Sequence, residues 1–171
     1  SMGFGPVSGL VMGTRAGDID AAVIFHMIEQ LGMDAKTVNN LLNKESGMLG
    51  LTGFSDMRDV RAAIAAGDTH AELASSLYAY RIKKYIGAYA AVLNGLDAIV
   101  FTAGVGENDK DTRKRVCSQL QFLGIHFDEA ANESTASGIR EINTPASPVK
   151  ILIVPTNEEL EIAQQCYGLL I

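Results

Sequence analysis

The chain has 171 residues, of which 47% are hydrophobic and 20% charged. That suits one compact domain, at most with a small appendage, which buries roughly 70% of its unfolded surface without a disulfide or structural metal; it excludes a disordered tail. There are 14 Lys and Arg against 20 Asp and Glu, a net charge of −6, so no domain-wide basic field exists to hold nucleic acid or an anionic membrane, although a local cationic pocket is still allowed.

Two cysteines, Cys117 and Cys166, are too few for a disulfide framework or a four-ligand zinc site, and both read as buried, reduced thiols. No apolar run reaches the ~20 residues of a membrane span. The opening residues Ser1 to Pro6 have neither the basic nor the apolar region of a signal peptide, so a cytoplasmic location is the default.

Ser1 to Gly13 is a glycine-rich, apolar opening segment. Gly17 and Asp18 then open a helix with Asp18 as its cap; Val23, Met27 and Leu31 share one face, and Gly32 stops it. Asp34 caps a second helix through Asn43. Gly47 to Phe54 reads as a glycine-punctuated link, and Ser55 caps a short helix ended by Gly67. From Thr69 to Asn94 the pattern is helical throughout, with Tyr78, Ile82, Tyr85, Tyr89 and Leu93 at spacings of three and four, as core or subunit contact, until Asn94-Gly95 ends it.

Ala98 to Thr102 predicts a buried strand running into a tight loop, Ala103 to Gly106. Asn108 or Asp109 caps a helix to Gly124, Ile125 to Phe127 is a short strand, and Val149 to Val154 is a second buried strand broken at Pro155. Thr156 or Asn157 starts a last helix through Gln165. Strand-loop-helix, written twice, is the grammar of a parallel α/β sheet covered by helices.

Ligands of open α/β sheets bind at the carboxyl ends of strands, and two segments lie there. Gly104-Val105-Gly106-Glu107-Asn108 is either a tight turn or a backbone cradle for a nucleotide phosphate or ribose; it is neither a Walker loop nor a full dinucleotide fingerprint. Pro155-Thr156-Asn157-Glu158-Glu159 is either dipole-matched capping or a carboxylate that holds Mg²⁺. Arg15, between Gly13 and Gly17, is either a surface cation paired with Asp18 or Asp20, or a fixed cation facing phosphate or carboxylate. Phe54 to Asp59 reads as a helix start with acidic first-turn residues. His26, His70 and His126 have no triad spacing.

In this order the segments resemble the acetate kinase family of short-chain acid kinases. The match runs through Ser1-Met2-Gly3, Gly9 to Arg15, Gly17 to Asp20, Gly53 to Arg58, Phe101 to Asn108 and Val154 to Leu160. Ala16 departs from a common serine or cysteine, and Ala21 from the proline that usually opens the helix. The resemblance implies an actin-like ATPase (ribonuclease H-like) α/β domain with a mixed or parallel sheet and flanking helices. Residues 1–171 would be the C-terminal nucleotide-binding and dimerisation domain, without the N-terminal domain that carries the rest of the catalytic set, so inactive alone. It implies ATP/ADP and acetate/acetyl phosphate as substrates, Mg²⁺, and a homodimer; the acidic charge balance, and not the resemblance, argues against a nucleic-acid or membrane partner. It gives Arg15 the catalytic role and Glu158 the metal. Asp56, Met57, Arg58, Gly104, Val105, Gly106, Glu107 and Asn108 would surround the nucleotide. Propionate or butyrate kinase is the alternative within the class, and a non-catalytic nucleotide-binding or oligomerisation module the alternative outside it.

Overall fold

The long helix stops where Asn94 (φ 58°) and Gly95 (φ 137°) turn the backbone left-handed. The chain divides there: one unit runs to Val92 and a second begins at Leu93. In this computed structural model, which describes residues 3–169, two units replace the single compact domain expected from length, because each half has its own set of buried apolar residues. Ser1 and Met2 of the first matching segment lie outside the described residues.

The first unit is helical: α1 (Ala21–Glu29), α2 (Ala35–Lys44), α3 (Gly47–Thr52), α4 (Met57–Ala65) and α5 (Thr69–Leu93). Aspartates start most of them by accepting first-turn amide protons. Asp34 caps α2 as expected. Asp18 and Ser55 do not act as caps; Asp20 takes the Ala22 amide and Asp56 the Arg58 amide, so α1 and α4 start slightly later than predicted. The stretch from Gly47, predicted as a link, contains α3, because three donors at its start find acceptors in an earlier loop.

The core of this unit is Val11, Met48, Val60, Ala71 and Ala74, with Met57, Ile64, Leu77 and Tyr78 packed against it. Small residues on α5 (Ala71, Ala74, Ser75, Ala79) form its buried side, whereas Tyr80 and Tyr89 are exposed. The tyrosine stripe is therefore core only in part. α1 buries no residue, and Phe25, Ile28 and Leu31 are exposed.

The second unit runs β1 (Ala98–Phe101), α6 (Ala103–Asn108), α7 (Lys110–Cys117), a 3-10 turn (Gln121–Leu123), α8 (Glu129–Glu133), β2 (Arg140–Glu141), β3 (Lys150–Ile153) and α9 (Glu158–Gly168). The sheet order is β1-β3-β2. β1 and β3 are parallel, with Phe101 opposite Ile153, and β2 is antiparallel to β3. The α/β class with a mixed sheet and flanking helices is thus as expected.

β3 buries Ile151 and Ile153, but β1 buries only Phe101, since it is an edge strand and Val100 lies open to solvent. The tight loop after β1 closes into helical turns, α6, entered through Ala103 at φ 57°. The helix expected to reach Gly124 ends at Cys117, because Ser118 is extended and Gln119 has φ 59°. Ile125 to Phe127 makes a single bridge, Phe127 to Asn143, instead of a strand. α8 and β2 are too short to leave a periodic signal. Cys117 is buried, but Cys166 is exposed on α9, which buries none of its residues. Among the described residues no helix is long and apolar enough to cross a membrane.

Ala21 is the first residue of α1, where an amide proton has no helical acceptor, and the preceding Asp20 is extended (ψ 130°). Ala21→Pro is expected to stabilise the protein by about 0.4–1 kcal/mol by restricting the unfolded chain. A lower urea midpoint for the variant would show that the backbone does not accept the ring.

Candidate functional site

Arg15 sits in a loop fixed through its backbone. The first amides of α3 have no helical acceptors of their own. Met48 N donates to Met12 O (2.9 Å), Leu49 N to Gly13 O (2.8 Å) and Ser46 N to Thr14 O (3.0 Å). Ser46 supplies no side-chain cap, so the loop caps α3 instead. Gly47 (φ 62°) makes the contact possible: a Cβ there would lie 2.2 Å from Met12 O and 2.7 Å from Arg15 O. On the other side, a Cβ at Gly13 would lie 2.7 Å from Ser55 O, so the Arg15 loop abuts the start of the Ser55 to Arg58 segment.

The surface pairing considered for Arg15 does not form. Its guanidinium is half-buried and donates only to Met12 Sδ, at 3.7 Å, among the described residues. Both candidate partners are occupied elsewhere. Asp20 caps α1. Asp18 accepts from Gly9 N (2.7 Å), Ser8 Oγ (3.3 Å) and the Tyr85 hydroxyl (2.5 Å), and Arg81 donates to its carbonyl. The Tyr85 hydroxyl, followed by the Gly9 amide, pulls the Asp18 pKa below the usual carboxylate range; the same bond raises that of Tyr85.

In the neighbouring segment Asp56 caps α4 and pairs with the exposed Arg58 at 2.6 Å. The Arg58 hydrogen bonds, from side chain and then backbone, hold the Asp56 carboxyl down at about 2. Met57 points into the core cluster. Of the three predicted nucleotide neighbours here, only Arg58 has a freely exposed side chain.

In the second unit the two strand-end segments meet. Val154 N donates to Phe101 O (2.9 Å) just past the paired strands. Gly106 tucks α6 against the end of β1; a Cβ there would lie 3.2 Å from the Phe101 carbonyl carbon. Glu107 Oε1 then accepts from both Thr156 N and Thr156 Oγ1, at 2.9 Å each. These two bonds, the backbone one first, lower the Glu107 pKa. Asn108 donates to Gly104 O (2.9 Å), and Asn157 caps α9 by accepting from Leu160 N (2.9 Å). Glu158, the first residue of α9, is exposed and has no hydrogen-bond or ion-pair partner among the described residues.

A polar cavity of about 540 Å³ adjoins α6, lined in part by Glu107, Asn108, Lys110, Arg113 and Arg140. Arg113 organises its floor. It is buried, donates to Gly106 O and Glu107 O (2.9 Å each) and bonds Asn132 Oδ1 at 2.8 Å. Burial, and then the nearby Arg140, lower its pKa. Neither Arg113 nor the bonds from Thr156 to Glu107 nor the Asp18–Tyr85 bond was legible in the sequence: each depends on partners many residues away. The one available hint was the arginine following the glycine-rich segment.

The chain is an α/β protein whose glycine-rich and acidic segments meet at the carboxyl ends of a parallel strand pair, the class that binds ligands at strand ends. It belongs to the acetokinase family, which residues 1–164 match. It is 56% identical over 170 residues to an acetate kinase of Flavobacterium johnsoniae, covering 99% of this chain and 43% of that protein. An acetate kinase of Thermotoga maritima is 56% identical over 167 residues, covering 96% and 41%. The crystal structure of Porphyromonas gingivalis acetate kinase superposes with TM-score 0.93 at 46% identity, covering 100% and 43%. A Francisella tularensis propionate kinase gives 0.88 at 42%, covering 96% and 42%. The chain thus spans about two fifths of the length of the relatives it matches.

The Asp18–Tyr85 bond makes stability depend on pH at both extremes. A lowered carboxylate pKa gives stability that is present above the ordinary 3.8 and lost as pH falls through the folded value. A raised phenol pKa gives stability that is present below the ordinary 10.0 and lost as pH rises through the folded value. Denaturant midpoints measured across pH are expected to separate the parent from Tyr85→Phe most within that window. A pH-independent difference would mean that the bond is absent in solution.

Proposed function

We propose that the chain is the C-terminal nucleotide-binding and dimerisation part of an acetate kinase, which transfers a phosphoryl group reversibly between ATP and acetate. The 56% identity to a protein of that name across 99% of the chain carries the reading. An acetate oxygen is already a charged nucleophile, so transfer needs no strong base; it needs positioning and charge neutralisation. Arg15 suits the second task, since no carboxylate holds its guanidinium and α3 fixes its backbone.

Gly104 supports a ligand at α6. Neither a positive φ nor packing requires glycine there, as a Cβ would meet nothing within 4 Å, yet glycine costs a helical turn about 1 kcal/mol relative to alanine. A backbone left open to an approaching phosphate or ribose accounts for it.

Among the described residues no three His, Cys, Asp or Glu side chains gather as a metal cage. A lone exposed carboxylate such as that of Glu158 suits Mg²⁺, which keeps several waters and is held by one or two carboxylates together with substrate phosphates. Glu158 is the free carboxylate that would contribute, and the ion when bound would neutralise phosphate charge. The exposed apolar side chains of Phe25 and Ile28 on α1, and of Leu31 just beyond it, support pairing with a second copy. The likeness to a propionate kinase favours a second reading, in which the acceptor is a longer acid on the same machinery.

In the full-length enzyme, Arg15→Ala is expected to lower kcat by ~10³-fold or more while the KM for ATP moves only a few-fold. Steady-state kinetics with ATP and acetate measure both; a kcat near that of the parent would remove the transition-state role from Arg15.

A further inference from the structure

The resemblance gives Glu107 to the nucleotide, but its geometry points along the protein. One oxygen, Oε1, accepts both the amide and the hydroxyl of Thr156. Its own backbone is held as well, because Arg113 donates to the Glu107 carbonyl at 2.9 Å and to that of Gly106. Gly106 keeps this turn against Phe101. The anchored carboxylate therefore fixes Thr156, two residues before Glu158. From there Asn157 fixes the first turn of α9 by capping Leu160 N. Glu158 lies between these two restraints and has no partner of its own among the described residues.

We infer that Glu107 is a positioning residue: through Thr156 it sets the backbone from which Glu158 reaches the metal ion, and it is not itself a ligand of the nucleotide. This rests on the kinase reading, and in particular on Glu158 as the metal-side carboxylate. Groups that orient a metal ligand affect metal affinity by about 10–100-fold when removed. Here the orienting bonds are solvent-exposed and act through backbone, so the lower end applies.

The test uses the full-length enzyme and two titrations: ADP into enzyme with chelator present, and Mg²⁺ into the enzyme–ADP complex, both read by calorimetry. Glu107→Ala is expected to raise the Mg²⁺ concentration at half-saturation about tenfold, with metal-free ADP affinity within about twofold of the parent. Glu107→Gln keeps an oxygen that accepts from Thr156 and is expected to bring the Mg²⁺ value back to within about threefold. Thr156→Val removes only the hydroxyl donor and gives an intermediate rise, which tests the link even if Glu107→Ala does not fold. Loss of metal-free ADP binding with an unchanged Mg²⁺ value would make Glu107 a nucleotide ligand and overturn the inference. So would variants indistinguishable from the parent in both titrations. If the parent itself forms no acyl phosphate from ATP and acetate or propionate, the kinase reading fails and takes this inference with it. An active parent with unresponsive variants sinks the inference alone.

Discussion

The first amides of a helix point outward with no acceptor of their own, and the folded chain must find partners for them. Within each unit, the loops that carry the candidate residues answer this demand or sit beside it. The carbonyls around Arg15 cap α3, Asp56 caps α4, Glu107 takes the Thr156 amide ahead of α9, and Asn157 caps α9 itself. Backbone satisfaction is therefore the constraint that orders the loops. The Arg15 guanidinium, which meets only the Met12 sulfur, and the exposed Glu158 carboxylate are left out of this backbone network among the described residues.

This division explains the contrast between the two charged clusters near α4 and α6. Asp56 and Arg58 neutralise one another in the open, where an ion pair contributes little to stability. Arg113 is enclosed, and its donors are spent on the carbonyls of Gly106, Glu107 and Asn132 and on the Asn132 amide oxygen. The cavity beside α6 carries both signs of charge, with Arg113, Lys110 and Arg140 facing Glu107 and Glu133 in its lining.

The sequence was legible wherever the signal was local. Asp34 as a cap, Asn94-Gly95 as a terminator, the apolar runs that become β1 and β3, and the start of α9 depend on neighbours within a few residues. The failures have one cause in common. α3 forms because of acceptors some 35 residues earlier, at Met12 and Gly13; Asp18 is claimed by Tyr85, 67 residues away; Arg113 finds Asn132. β1 was read as buried from an apolar run, but apolarity does not reveal which strand ends up at a sheet edge. That two segments follow the strand ends was legible, whereas the orientation of Glu107 towards Thr156 was not.

Ala103 enters α6 with a left-handed backbone that costs an L-residue roughly 1–2 kcal/mol. Immediately beyond it the chain is gripped by Gly106 against Phe101 and by Glu107 against Thr156. The reversal after β1 is thus a sprung clip, held shut by its far end. Whatever loosens the clasp at Thr156 also gives that stored tension somewhere to go.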